Sequence, residues 1–292
     1  MPETPERFIP RKRWGQNFLI NSGACDTIVR AFTPRPDDRV IEIGPGKGAL
    51  TRKLAGRVGR LLLIEVDPAL AGLLRAEFTI PTAGPGSGGA GDVQIVEADV
   101  LQADWGGLLA RIDAGPDRPA RIIGNLPFNI ATAVILRLLH LRPLVRDLMI
   151  MVQREVAERI ASPPGRKSYG GLSVLCQTYA RVDSILRLGP GSFRPRPKVD
   201  SEVVRLALRD PGELATRHPD LLSDLLRAAF AQRRKTLQNN LARLTRRGAG
   251  GEFLGHAGAQ ALLEAAGVDP RARAESVPVA GFLSLAEAWR AL

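Results

Sequence analysis

An α/β domain on a mostly parallel sheet with an antiparallel edge, followed by a smaller all-helical domain, is the architecture this sequence predicts. Two observations carry it. Short apolar runs of strand length alternate with helical segments up to about residue 208, the pattern of βαβ units. Beyond 208 the strand pattern stops and apolar residues recur at helical spacing. The expected domains are therefore 1–208, with 1–20 as a basic arm, and 209–292.

Val40-Ile41-Glu42-Ile43-Gly44 is an apolar run closed by glycine, as a buried parallel strand should be. Leu61–Glu65 repeats the pattern, followed by Val93–Val96, residues 120–124 and Leu148–Val152. Helices are expected between them at about 49–57, 68–77, 104–112 and 131–140. Thr79–Asp92 is rich in Gly and Pro and reads as a surface loop. Strands near 184–188 and 201–208, parted by Gly189-Pro190-Gly191, can close the sheet as a hairpin-like edge. In the tail, Asp220 can cap a helix carrying Leu221, Leu222, Leu225, Leu226, Ala229 and Phe230, broken at Gly248–Gly251. Two more helices fit about 256–266 and 283–292.

Composition narrows the function. Lys and Arg exceed Asp and Glu by 41 to 30, a formal net charge of +11, which suits a polyanionic partner. Solubility alone is the other reading of that charge. Two cysteines, Cys25 and Cys176, make neither a disulfide framework nor a four-cysteine zinc site and fit a reducing compartment. No stretch has membrane-spanning length, and Met1–Arg13 lacks the apolar region of a secretory signal. An intracellular, cytoplasmic protein with no membrane partner is expected.

The chemistry gathers at strand ends. Glu42-Ile43-Gly44-Pro45-Gly46-Lys47-Gly48 follows the first strand and opens a helix. Its glycines let backbone approach a ligand closely. The spacing is GxGxG, which differs from the dinucleotide fingerprint. Glu65 ends the second strand, where a carboxylate can bind ribose hydroxyls. Asp99, just past the third, can accept from an adenine amine. Any one of these acids could be a solvated strand end or a cap. Their succession suits a ribose and an adenine without a diphosphate cradle, hence S-adenosylmethionine. After the fourth strand comes Asn125-Leu126-Pro127-Phe128. The Asn125 amide oxygen and the Leu126 carbonyl can accept from an exocyclic amine. Pro127 stiffens the turn, and Phe128 offers a stacking face. A strand–turn with one buried Phe is the plainer reading.

These blocks resemble the successive motifs of class I methyltransferases with a Rossmann-like sheet. Together with Gln16–Leu19, Gln153–Ala157, Tyr169–Ser173, Phe193–Ser201 and Phe230–Thr236, they resemble the KsgA family of 16S ribosomal RNA adenine dimethyltransferases over nearly the whole chain. The resemblance implies that Asn17, Leu19, Gly44, Gly46, Glu65, Asp99 and Asn125 line the S-adenosylmethionine site. It implies that Asn125, Leu126, Pro127 and Phe128 hold the target adenine, with Phe193 closing over the second face. The family usually has Tyr where Phe128 stands and an apolar residue where Lys47 stands.

The implied activity is dimethylation of two adjacent adenosines near the 3′ end of small-subunit rRNA, on a subunit or its precursor, by a monomer. The sulfonium methyl is already activated, so no metal is required. Residues 225–251 contain no acid but carry Arg227, Arg233, Arg234, Lys235, Arg243, Arg246 and Arg247. They are expected to track phosphates with Arg7, Arg11, Lys12 and Arg13, a solvated helix face being the other reading. Two alternatives stand beside this function: a large-subunit rRNA dimethyltransferase of the antibiotic-resistance type, and a non-catalytic assembly or RNA-binding factor on the same fold.

Overall fold

A computed structural model describes residues 16–78, 92–210, 213, 219–245 and 253–291. The arm cluster Arg7 to Arg13, residues 79–91, Arg246, Arg247 and the Gly248–Gly251 break lie outside the described residues. The chain separates into two compact units, Met1–Arg154 with Ser184–Arg205, and Glu155–Asp183 with Leu206–Leu292. The sequence boundary was drawn at 208. The units divide differently because Tyr169 and Val174 belong to the same buried cluster as the C-terminal helices.

The first unit opens with β1 (Phe18–Leu19), α1 (Ser22–Phe32) and β2 (Arg39–Ile43), then α2 (Thr51–Leu54), β3 (Arg60–Glu65), α3 (Pro68–Phe78) and β4 (Asp92–Glu97). It continues with α4 (Trp105–Arg111), β5 (Ala120–Asn125), α5 (Ala131–Leu139) and β6 (Val145–Gln153). After α6 (Arg154–Ala161) and α7 (Gly171–Tyr179) come β7 (Ala180–Leu188), β8 (Phe193–Arg194) and β9 (Ser201–Leu208). Seven strands form one sheet in the order β4-β3-β2-β5-β6-β9-β7, while β1 and β8 pair separately. The four pairs from β4 to β6 are parallel. β9 runs back along β6. Arg154 N–H meets the Asp200 carbonyl at 3.0 Å at one end, and Arg205 reaches Asp147 near the start of β6.

The apolar runs are buried almost throughout, with Ile41, Leu61, Leu62, Leu63 and Ile122 all at 0% exposure. At the far edge from the strand carboxyl ends sits a buried ion cluster. Arg121 holds Asp147 with two hydrogen bonds of 2.8 Å and Asp38 with one of 3.0 Å. Its guanidinium lies 3.9 Å from the Phe32 ring centroid.

Helix α1 was not foreseen from periodicity. Asn21 starts it, its side chain accepting from Ala24 N–H at 3.0 Å. The helix expected over 49–57 contracts to Thr51–Leu54, ahead of Gly56 with φ of 75°. In the second unit the long basic helix is also divided. Helix α8 (Pro219–Ala229) ends where the buried Asn240 amide donates to the Ala229 and Gln232 carbonyls at 2.7 and 3.1 Å. Thr236 then caps α9 (Leu237–Leu241). Helices α10 (Gly255–Ala265) and α11 (Val279–Arg290) complete a core that includes Leu222, Leu225, Leu241, Leu262 and Phe282. Among the described residues no helix is long and apolar enough to cross a membrane.

Candidate active site

Parallel strands deliver their carboxyl ends to one edge of the sheet, where open α/β sheets bind ligands. Here β2 ends beside Gly44, β3 at Glu65, β4 just before Asp99 and β5 at Asn125. A cavity of about 270 Å³ lies along that edge, and Asn17, Gly44, Gly46, Glu65, Asp99 and Asn125 all line it, as do Leu126, Pro127 and Phe128. Gly44 and Gly46 adopt φ of 64° and 57°, a region that side chains rarely enter. A Cβ on Gly46 would stand 2.8 Å from Cδ1 of Phe18. The loop is therefore shaped by glycine at both points, and the Phe18 ring covers it.

Glu65 is only 4% exposed. One carboxylate oxygen accepts from Gly46 N–H and the other from the amides of Val66 and Asp67, all at 3.0 Å. Burial pushes its pKa above the ordinary carboxylate value against those three amide donors. The buried Asp67 accepts from the Gln16 amide at 3.1 Å and from Ala69 N–H at 3.1 Å, so it ties the segment before β1 to the start of α3. Asp99 is exposed and accepts from Leu101 N–H at 2.9 Å.

Asn125 has a defined orientation. Its Nδ2 donates to the Asn17 carbonyl at 2.8 Å. Its amide oxygen takes no partner among the described residues. The buried Leu126 donates its N–H to Met151 O at 3.2 Å, and its own carbonyl accepts no hydrogen bond among the described residues. Pro127 and Phe128 are half-buried on the cavity wall. Two acceptors and a partly open aromatic ring thus stand together.

Two expected residues stand apart from that cavity. Leu19 and Phe193 face each other in the β1–β8 pair, are 7% and 2% exposed, and belong to the hydrophobic core. Neither lines the larger cavity, whereas Leu19 does line a smaller one beside the glycine loop. Phe193 instead joins the core beside the strap that carries Asn17 and Phe18, opposite Leu19.

The basic residues are also revised. Arg233 was read as having no acid nearby, yet its Nε lies 2.7 Å from Glu275. Arg227 pairs with Asp224 at 3.5 Å. Arg234 and Lys235 are exposed in the turn between α8 and α9. Sequence reasoning passed over Glu42 as a site residue. It is 2% exposed, accepts from the Thr51 hydroxyl at 2.7 Å, and burial, with Glu65 nearby, pushes it up to about 7. The signal was an acid inside an otherwise apolar strand. Gln16, Val66, Leu70 and Ile130 on the cavity wall gave no such signal.

The cavity fits an adenosyl cofactor on this structure's own terms. A glycine cradle that a Cβ would fill adjoins a strand-end carboxylate and, farther along, a second acid. The strand order and this cavity define a class I methyltransferase fold. A dimethyladenosine transferase from Plasmodium falciparum superimposes with a TM-score of 0.75 at 24% identity, over 92% of this chain and 95% of that one. The family described as ribosomal RNA adenine dimethylase matches residues 7–290, and the chain belongs to it. Two proteins named ribosomal RNA small subunit methyltransferase A are close relatives. That of Saccharophagus degradans is 40% identical over 94% of this chain and 92% of its own length. That of Chromohalobacter salexigens is 45% identical over 82% of each. The structure of the 23S rRNA methyltransferase ErmE is 26% identical, with a TM-score of 0.64 over 94% of this chain and all of that one.

Proposed function

We propose that this chain dimethylates the exocyclic amine of two adjacent adenosines near the 3′ end of 16S rRNA, with S-adenosylmethionine as methyl donor. The observation that carries the reading is the fixed Asn125 amide. With Nδ2 held by Asn17, Oδ1 is the atom left to meet an amine, in the same cavity as Glu65 and Asp99.

When bound, the cofactor supplies an activated methyl group. The chain's part is orientation, which converts an encounter into a positioned reaction. Glu65 would take the ribose hydroxyls and Asp99 the adenine amine of the cofactor. The target adenine would stack on Phe128 and direct its amine protons to Asn125 Oδ1 and Leu126 O. The lone pair of that amine is delocalised into the ring. Acceptors that bind the two protons more tightly as the nitrogen becomes tetrahedral favour the transition state over the ground state. A second round requires the same wall to admit a monomethylated amine.

Identity of 40–45% to proteins named for the small subunit, against 26% to ErmE, supports the small-subunit substrate over the large. The intact Glu65, Asp99 and Asn125 favour catalysis over a purely binding role. The exposed Arg234 and Lys235, with Arg227 and Arg233, would meet rRNA phosphates in the small subunit or its precursor. A monomer acting in the cytoplasm accords with that substrate. The test is incubation with labelled S-adenosylmethionine and a mixture of small and large subunits from a strain lacking the modification, followed by mapping of the methyl groups. Dimethyladenosine at two adjacent positions near the 3′ end of 16S rRNA is expected. Label in 23S rRNA alone, or none, would overturn the reading.

A further inference from the structure

A second, smaller cavity of about 30 Å³ adjoins the glycine loop. It shares Phe18, Gly44, Gly46 and Asn125 with the larger one, and to the apolar Leu19, Pro45, Ala49 and Leu50 it adds two charged residues, Glu42 and Lys47. Its volume, about that of two waters, admits the tip of a small group and no ring. Its walls bring one carboxyl and one ammonium to opposite duties. Glu42 is almost wholly buried, whereas Lys47 is exposed. The Lys47 Nζ stands 5.4 Å from the centroid of the Phe18 ring, the ring that walls both cavities, so a cation is held beside their common boundary.

We propose that Lys47 is a specificity residue of the cofactor site, gripping the α-carboxylate of the cofactor's amino-acid end while Glu42 faces its α-ammonium. This rests on the adenosyl-cofactor reading above. The carboxylates assigned to ribose and adenine, Glu65 and Asp99, line the larger cavity only. What remains of such a cofactor is a zwitterion, and a small cavity carrying one group of each sign complements it. Gly44 and Gly46 form part of both walls, so a ligand passing over the loop would reach from one cavity to the other. Lys47 thereby selects cofactors that carry a carboxylate from those that carry only the sulfonium, amine and adenosine.

Calorimetric titration of the full chain with S-adenosylmethionine and with its decarboxylated form tests this, using wild type, Lys47→Leu and Lys47→Arg. Lys47→Leu should weaken S-adenosylmethionine binding about fivefold to twentyfold, as expected for loss of one partly solvated charge-assisted contact. Binding of the decarboxylated form should stay the same, which also shows that the site has kept its shape. Lys47→Arg should retain wild-type affinity for both. Equal weakening of both ligands, or no change in either, overturns the assignment, including the case where only RNA affinity falls. If wild type binds no adenosyl ligand at all, S-adenosylhomocysteine included, the cofactor reading itself fails, an outcome distinct from an unaltered Leu variant.

Discussion

The side-chain amide of Asn125 donates to the backbone carbonyl of Asn17 across 2.8 Å, joining the end of β5 to the residue before β1. One hydrogen bond thus links the wall proposed for the target base with the strap that covers the glycine loop. Asn125→Ala removes both that link and the acceptor. Single-turnover methylation should fall roughly 100-fold, the order found when one preorganised transition-state contact is lost, with the melting curve little changed. Near-normal turnover would take Asn125 out of the chemistry.

Phe128 tests the stacking role separately. Phe128→Tyr keeps the ring and should keep RNA methylation, whereas Phe128→Ala should lose about 1–3 kcal/mol of base stacking. Equal activity for all three side chains would mean that no base rests on this ring.

Glu65→Ala should weaken S-adenosylmethionine binding by about 1.5–3 kcal/mol, the range for hydrogen bonds to a charged group. RNA affinity should hold. Because burial raises the Glu65 pKa above 4.5, the wild-type affinity should also begin to drop at a higher pH than an ordinary glutamate would dictate. Calorimetry across pH measures both effects, and wild-type affinity in the variant would remove Glu65 from the site.

Glu42 makes stability depend on pH. Its folded-state pKa of about 7 lies above the ordinary 4.5. Between those values the native state holds a proton that the unfolded chain releases, so the contribution is fully present below 4.5 and is lost as pH rises through 7. The span corresponds to roughly 3 kcal/mol. Glu42→Gln should therefore gain stability over wild type at pH 8.5 and little at pH 4, read from urea unfolding. A constant difference at both would contradict this.

Asp147 works with the opposite sign. Burial pushes its pKa up, but Arg121, Arg205 and Arg146 outweigh that and hold it below 3.8. Its contribution is present above the ordinary value and lost only as pH falls through the lower folded one. Asp147→Asn would leave Arg121, 2% exposed, without its doubly bonded partner. A loss of about 3–5 kcal/mol is expected at neutral pH, with the gap to wild type closing in acid.

For RNA, Arg234→Glu with Lys235→Glu should lower the log–log salt slope of binding by about one per lost phosphate contact. Arg233→Glu should instead also destabilise the second unit, because it would set two acids together at the Glu275 pair. Filter binding at several salt concentrations, with melting curves, separates these. An unchanged slope in the double variant would move the RNA surface elsewhere.

Strand ends, glycine spacing and the Asn125–Phe128 turn were legible in the chain because each is local. An apolar run of strand length, a loop needing positive φ and a proline after an amide declare themselves within a few residues, and the parallel topology that follows from alternation brings successive strand ends to one edge. The sequence alone therefore groups Glu65, Asp99 and Asn125. What lay beyond reach depends on partners distant in sequence. The Asn17 carbonyl that orients Asn125 is 108 residues away, and the Glu275 that neutralises Arg233 is 42 away. The family resemblance implied Phe193 as a lid for the base, but only the β1–β8 pairing shows that the ring is spent on the core. Asn240 likewise ends α8 by reaching back to carbonyls that helical periodicity would have carried onward. Local chemistry marks which groups can act, while packing decides which of them remain available, because a buried polar group or ring must satisfy the neighbours that the fold brings to it.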